Sequence, residues 1–172
     1  MPLIDTHCHL DFNAYDGLRD EIVAEAAASG VTRIINPGTD LDRSRAAIAL
    51  AETYPGVYAA VGVHPNSTAD FSAAHLVTLR DLAAHPKVVA IGEIGLDYYW
   101  DDSPKDVQWG AFEAQLDLAA ALELPVIIHN RDASDDVLAV LSAWTATLPA
   151  ALRDRPGVLH SFSAPLVVAE RG

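Results

Sequence analysis

The chain has 172 residues, 51% hydrophobic and 20% charged, with 24 acidic side chains against 11 basic ones and a formal net charge of −13. That balance suits a globular chain with a substantial core and excludes a disordered or low-complexity one. The charge also excludes a module that grips nucleic acid by neutralising phosphates, because the 11 basic residues form no run or patch.

The single cysteine, Cys8, rules out an internal disulfide and fits a reducing compartment. The first residues lack the basic and apolar regions of a secretory signal, and no apolar run is long enough to span a bilayer. The expectation is a cytoplasmic protein without membrane contact.

Along the chain, Pro2-Leu3-Ile4 opens an apolar run that predicts a short strand entering a core, continuing as Ile4-Asp5-Thr6-His7-Cys8-His9-Leu10-Asp11. Successive strand side chains alternate faces, so His7 and His9 share one face and Cys8 takes the other. Two neutral imidazoles at that spacing suit a divalent ion. Asp16 is placed to cap a helix through Leu18, Ile22, Val23 and Ala26, stopped by Gly30. Residues 31–36 are β-branched and short, a second strand, followed by the turn Pro37-Gly38. A helix from near Asp40 ends at Tyr54-Pro55-Gly56, and residues 57–64 form a third strand ending in His64.

Ser72 opens a third helix with Leu76, Leu79 and Leu82 on one face, closed by His85-Pro86. Residues 88–95 are apolar on both strand faces until Glu93. Ser103-Pro104 with Asp106 reads as an N-cap, a proline at the first helical position and an acidic first turn. The helix that follows runs through Val107, Phe112, Ala119 and Leu122 to a stop before Leu124-Pro125. Residues 126–129 form a fifth strand ending in His129, and Asp132 or Ser134 caps a helix through Val137, Leu138 and Leu141. Residues 157–162 form a sixth strand carrying His160, and Pro165 begins a last helix.

Strand-then-helix units with strands apolar on both faces predict an α/β protein with a parallel sheet covered by helices. No linker divides the units, so residues 1–172 read as one domain. A doubly wound open sheet and a TIM (β/α)8-type barrel both fit this order. The barrel is favoured because His7, His9, His64, Glu93, His129 and His160 stand at C-terminal strand ends, where barrel active sites assemble. An open sheet would show a glycine-rich loop after its first strand, and none is present.

A carboxylate that ends an apolar strand is unfavourable unless it is paired or binds a metal. Glu93 therefore reads as a ligand or as one half of an ion pair with a barrel arginine. His129 and His160 read as ligands or as buried, hydrogen-bonded histidines. Together, His7, His9, His129, His160 and Glu93 suit two divalent ions that share a carboxylate bridge and activate a water for hydrolysis.

The strings Ile4-Asp5-Thr6-His7-Cys8-His9-Leu10-Asp11, Gly62-Val63-His64-Pro65 and Ile91-Gly92-Glu93-Ile94-Gly95-Leu96-Asp97-Tyr98 continue through Gln108, Phe112 and Gln115. Leu124-Pro125-Val126-Ile127-Ile128-His129-Asn130-Arg131-Asp132-Ala133 and His160-Ser161-Phe162-Ser163 follow. In this order they resemble the TatD-like metal-dependent deoxyribonucleases, within the wider amidohydrolase-like barrels. The resemblance covers essentially the whole chain.

It implies that His7 and His9 hold one metal, that catalytic Glu93 bridges to a second, and that His129 and His160 complete the second site. It implies two divalent ions, Mg²⁺ first and Mn²⁺ or Zn²⁺ as alternatives, and a DNA substrate cleaved at phosphodiester bonds by an exonuclease. His64 and Arg131 are placed to meet a substrate phosphate, arginine as a fixed donor fork. Asp97 reads as a turn or helix-cap carboxylate, and His75 and His85 as surface residues. Tyr98, Tyr99 and Trp100 either stack on bases or pack their own loop.

Two departures from the family pattern stand out. Ala164 follows Ser163 where the family has glycine. A (β/α)8 domain takes ~250 residues, so about six βα units are present and the aspartate expected after the last strand is not. The corresponding expectation is an incomplete barrel with weak or no activity, whose open strand edges invite self-association. The alternatives are a hydrolase of a small cyclic amide or ester with the same ligand set, and a non-catalytic partial barrel.

Overall fold

Six parallel strands hydrogen-bond in strict chain order: β1 (Leu3–Asp5), β2 (Val31–Pro37), β3 (Val57–Val61), β4 (Val88–Asp97), β5 (Val126–Arg131) and β6 (Gly157–Leu159). The structure is a computed structural model that describes residues 2–171. A doubly wound sheet reverses its strand order at a switch point. No reversal occurs here, and the sheet curls into a half-barrel, the incomplete TIM-type architecture expected from the sequence.

Helices α1 (Arg19–Ala28), α2 (Leu41–Thr53), α3 (Ala73–Ala83), α4 (Lys105–Leu122), α5 (Ser134–Thr145) and α6 (Leu166–Ala169) alternate with the strands. The main core joins Val57, Val61, Ile91, Ile94 and Ile128 from the strands to Ala47, Leu79, Phe112, Leu116 and Val137 from the helices. Each large apolar side chain fully buried there contributes about 1.5–3 kcal/mol. A smaller cluster, Ala60, Ala90 and Ile127 against Ile35, is built from strand residues alone.

Helix α4 presents Phe112, Gln115, Leu116 and Ala119 to the sheet at helical spacing, and all four are buried. It stops at Glu123, which takes a left-handed conformation (φ 54°) ahead of Leu124-Pro125. Its two buried glutamines act as braces. Gln115 accepts from Val63 N (2.8 Å) and donates to Val63 O (3.1 Å). Gln108 accepts from Asp97 N (2.9 Å) and donates to Asp97 O (3.0 Å). One helix face thereby fixes the ends of β3 and β4.

Several boundaries differ from the sequence reading. β1 is three residues long and exposed, with Leu3 and Ile4 each about half accessible, because among the described residues it pairs with β2 alone. α1 begins at Arg19 and not at Asp16. Residues 13–15 form a 3₁₀ turn, Gly17 turns left-handed (φ 76°), and Asp16 is drawn into an ion pair with Arg19 at 2.7 Å. Ser103 does not cap α4; its hydroxyl accepts from Thr68 N at 3.2 Å, and Pro104 occupies the cap position. β6 ends at Leu159, so His160 lies in the turn beyond it. Among the described residues, no helix is long and apolar enough to cross a membrane.

Candidate metal centre

The site is organised around Glu93, which lies in the middle of β4 with four strand residues after it, not at the strand end the sequence suggests, and is buried at 3% exposure. Its backbone N–H donates to Gly38 O at 2.9 Å. Neighbouring strands approach so closely here that glycine is required. A Cβ on Gly62 would lie 2.8 Å from the Gly92 carbonyl carbon, and one on Gly92 would lie 2.7 Å from Ile127 Cβ. Backbone bonds past the strand ends place the imidazoles: Cys8 N to Ile35 O, His64 N to Thr39 O, and His160 N to Ile128 O.

Five histidines converge on the Glu93 carboxylate. Oε2 faces His7 Nε2 at 3.0 Å and His9 Nε2 at 3.3 Å. Oε1 faces His160 Nε2 at 2.7 Å, His129 Nδ1 at 2.8 Å and His64 Nε2 at 3.5 Å. The rings pack on each other, with His7 and His160 stacked at a centroid distance of 3.8 Å. Burial alone would push the Glu93 carboxyl up. Hydrogen bonds from His129, His160, His7 and His9 outweigh it and hold the group ionised, far below the ordinary carboxylate range.

Two of the histidines, His129 and His9, have a second carboxylate beside them. His129 Nε2 lies 3.0 Å from Asp97 Oδ2, while Asp97 Oδ1 accepts from Tyr99 N (2.9 Å) and Trp100 N (3.2 Å). Asp97 thus caps the turn, as its position in the sequence suggests, and also orients His129, a role that only tertiary structure reveals. His9 Nδ1 stands 3.7 Å from Asp11 Oδ1. Asp11 is itself fixed by Asn36 Nδ2 (2.9 Å) and Arg43 Nη1 (3.2 Å). The signal for Asn36 is the same as for Glu93, a polar side chain in an apolar run.

His64 differs from the others in its proton position. Its Nδ1 accepts from Asn66 N at 3.1 Å, so its one ring hydrogen sits on Nε2 and points toward Glu93. Burial lowers its pKa to about 4, and it is neutral near pH 7. That makes His64 a hydrogen-bond donor in this arrangement. Burial opposes protonation of His9, but the Asp11 and Glu93 carboxylates outweigh it and raise its pKa to about 9. His129 is raised in the same way by Glu93 and Asp97.

The donor set fits divalent cations. Nitrogen and oxygen atoms of His7, Glu93 and His160, and of His64, Glu93 and His129, lie within 4.8 Å of one another in two groups that share Glu93. His9 falls outside both groups although it contacts the same carboxylate oxygen as His7. Buried Nδ1 atoms of His9 and His160 have no hydrogen-bond partner among the described residues.

A metal that takes a nitrogen of His9 must displace its proton at any pH below about 9. Affinity is therefore expected to rise with pH, by about tenfold per unit for each proton displaced, and to level off near pH 9. Calorimetric titration at pH 7 in buffers of different ionisation enthalpy should register net proton release. Zero release would contradict this arrangement.

Arg131 lies at the end of β5 in register with Asp97 and outside the cluster. Its guanidinium stacks over Tyr99 at 4.0 Å and reaches the Trp100 ring at 5.8 Å. A cleft of about 560 Å³ opens between the end of β5 (His129, Arg131) and the segment after β6 (His160, Phe162, Ser163). His75 and His85 stand apart from the centre and are half-buried where the sequence suggests surface positions. His75 completes a capping box with Ser72, and His85 lies 3.2 Å from Glu52.

Residues 4–172 match the family model described as TatD related DNase. An uncharacterized metal-dependent hydrolase of Bacillus subtilis, YabD, is 42% identical over 97% of this chain and 63% of its own length. The 3'-5' ssDNA/RNA exonuclease TatD of Cronobacter turicensis is 41% identical over 94% of this chain and 59% of its own. The crystal structure of YjjV, a TatD homologue from Escherichia coli, superposes with a TM-score of 0.87 at 38% identity, covering 98% of this chain and 63% of that one. The chain spans less than two thirds of the length of these relatives.

Proposed function

The chain belongs to the TatD-related DNase family, and from that premise we propose that its ring of imidazoles around Glu93 binds divalent cations for the hydrolysis of phosphodiester bonds in DNA. The supporting observation is the division of the Glu93 carboxylate, with Oε2 turned to His7 and His9 and Oε1 to His129 and His160. Glu93 would bridge the two sides, with His7 and His9 available to one ion and His129 and His160 to the other. Bound divalent ions supply an activated water and a clamp for phosphate oxygens.

The protein's own groups do the rest. Asp97 holds the Nε2–H of His129, so that Nδ1, which faces Glu93, is the nitrogen that would be given to a cation once its own proton is displaced. Asp11 lies 3.7 Å from His9 Nδ1 and acts on it by charge without a hydrogen bond. His64 stays neutral and offers its Nε2–H to a phosphate oxygen, a contact that survives without metal. Arg131 offers its fork to a phosphate further along the strand. A donor set dominated by imidazole suits Mn²⁺ or Zn²⁺ better than Mg²⁺, which prefers oxygen ligands and retained water.

The Cronobacter relative's name extends the substrate class to single-stranded DNA and RNA, attacked from the 3' end. Among the described residues β1 and β6 each pair on one side only, and a second copy of the chain is a further partner for those edges. Release of nucleotides from a single-stranded oligonucleotide with Mn²⁺ or Mg²⁺ tests the reading. It should proceed with metal and stop with chelator. Turnover of a cyclic amide with no nucleotide release would replace it with the amidohydrolase alternative.

A further inference from the structure

We propose that Tyr99, Trp100 and Arg131 form a platform that stacks the unpaired nucleobase at the end of a single strand, next to the metal centre. The proposal rests on the phosphodiesterase reading and names the part of the substrate that the centre itself does not recognise.

The first support is position. Asp97 orients His129 with one oxygen and holds Tyr99 N and Trp100 N with the other, so the aromatic turn is pinned by a group that also serves the metal centre. Arg131 follows His129 by two residues on β5, on the same strand face and about 7 Å further along. A ligand bound at His129 would reach the rings within one nucleotide.

The second support is that Tyr99 and Trp100 keep exposed ring surface and that the Arg131 guanidinium over Tyr99 has no acidic partner among the described residues. Tyr98 is committed, its hydroxyl donating to Asp136 at 2.7 Å with Lys105 over its ring at 4.1 Å. Tyr99 and Trp100 instead remain 53% and 50% exposed, with rings edge to face at 4.7 Å. Among the described residues, no carboxylate comes within 4.0 Å of the Arg131 guanidinium and none of its N–H groups has a hydrogen-bond partner, although the chain carries 24 acidic residues. A guanidinium seated over a ring and free of carboxylates keeps N–H groups to donate to phosphate.

Charge selects among ligands. Asp101 and Asp102 follow Trp100 and are exposed, and the chain as a whole is at −13, so no field draws a polyanion here. Affinity has to come from ring stacking, which tolerates any base and requires a base with a free face. A paired, stacked base inside a duplex offers none. The expected ligand is therefore the end of a single strand, bound with little sequence preference and a shallow dependence on salt.

The test compares a dodecamer of thymidine with an abasic strand of the same length, by fluorescence anisotropy in EDTA so that neither is cut. The 172-residue chain should bind the thymidine strand about tenfold or more tightly than the abasic one. Tyr99→Ala with Trp100→Ala should erase that ratio while leaving metal binding intact, and Trp100→Phe should retain most of it. Quenching of tryptophan emission in the unmodified protein gives a second reading should the double variant fold poorly.

Equal binding of the two strands, no binding of either, or an unchanged ratio in the double variant would overturn the platform. Preference for the thymidine strand without cleavage on adding Mn²⁺ would leave the platform standing and remove the hydrolytic reading. Cleavage with no preference for the thymidine strand would do the reverse.

Discussion

Glu93→Gln is expected to lower divalent-metal affinity by more than about 100-fold, beyond the effect typical of losing an outer partner of a ligand. The amide is nearly isosteric, but it carries no charge and presents one oxygen where two are needed. His7 and His9 on one side, and His129 and His160 on the other, then have no shared anion. The same change breaks a buried charge cluster. Loss of one member of such a pair is worth about 3–5 kcal/mol, so the metal-free variant should also unfold at lower denaturant.

Titration calorimetry reads the first effect, and the metal-dependent rise in melting temperature should vanish with it. His75→Ala is the control. It removes a capping-box partner worth about 0.5–2 kcal/mol and should leave metal affinity unchanged. Equal metal affinity in Glu93→Gln and the parent chain would contradict the bridging role.

Gly95→Ala is expected to destabilise the fold by about 3 kcal/mol, combining backbone strain with overpacking. Gly95 has φ 145°, and a Cβ there would run into the His129 carbonyl oxygen. The strands β4 and β5 would have to separate at the point where they carry Glu93, Asp97 and His129, so metal affinity should fall as well. Gly17→Ala provides the comparison, since Gly17 also has positive φ (76°) but a Cβ there would meet nothing within 4 Å. That substitution should cost only about 1–2 kcal/mol. Urea unfolding separates the two. Equal midpoints would mean that the close approach of β4 to β5 is not a constraint.

The sheet is legible in the sequence because parallel strands buried on both faces read as apolar runs. Residues 88–97 show this most plainly, with every position of β4 buried except Val89. β1 reads as buried because Leu3 and Ile4 are apolar, yet an edge strand with one neighbour leaves both in solvent. Helix α1 starts later than its capping signal suggests because a 3₁₀ turn and the left-handed Gly17 precede it, and neither carries an apolar period.

In the sequence the histidines and Glu93 stand out as polar side chains in or just after apolar runs, although the structure places His7, His9, His64 and His160 beyond their strands and Glu93 inside β4. Their supports do not stand out. Asp97 lies 32 residues from His129 and has a sufficient local explanation as a turn cap. Asp11, Asn36 and Arg43 meet across 32 residues through bonds that no local pattern encodes. Arg131 is marked out by its strand position, but its stacking on Tyr99 depends on how β4 and β5 lie side by side.

The most direct measurement is an anomalous difference map from crystals soaked in Mn²⁺. Density is expected within coordination distance of Glu93, flanked by imidazole nitrogens of His7 and His9 on one side and of His129 and His160 on the other. A map with no peak at Glu93, in which its carboxylate keeps its hydrogen bonds to those four histidines, would contradict the shared-carboxylate centre.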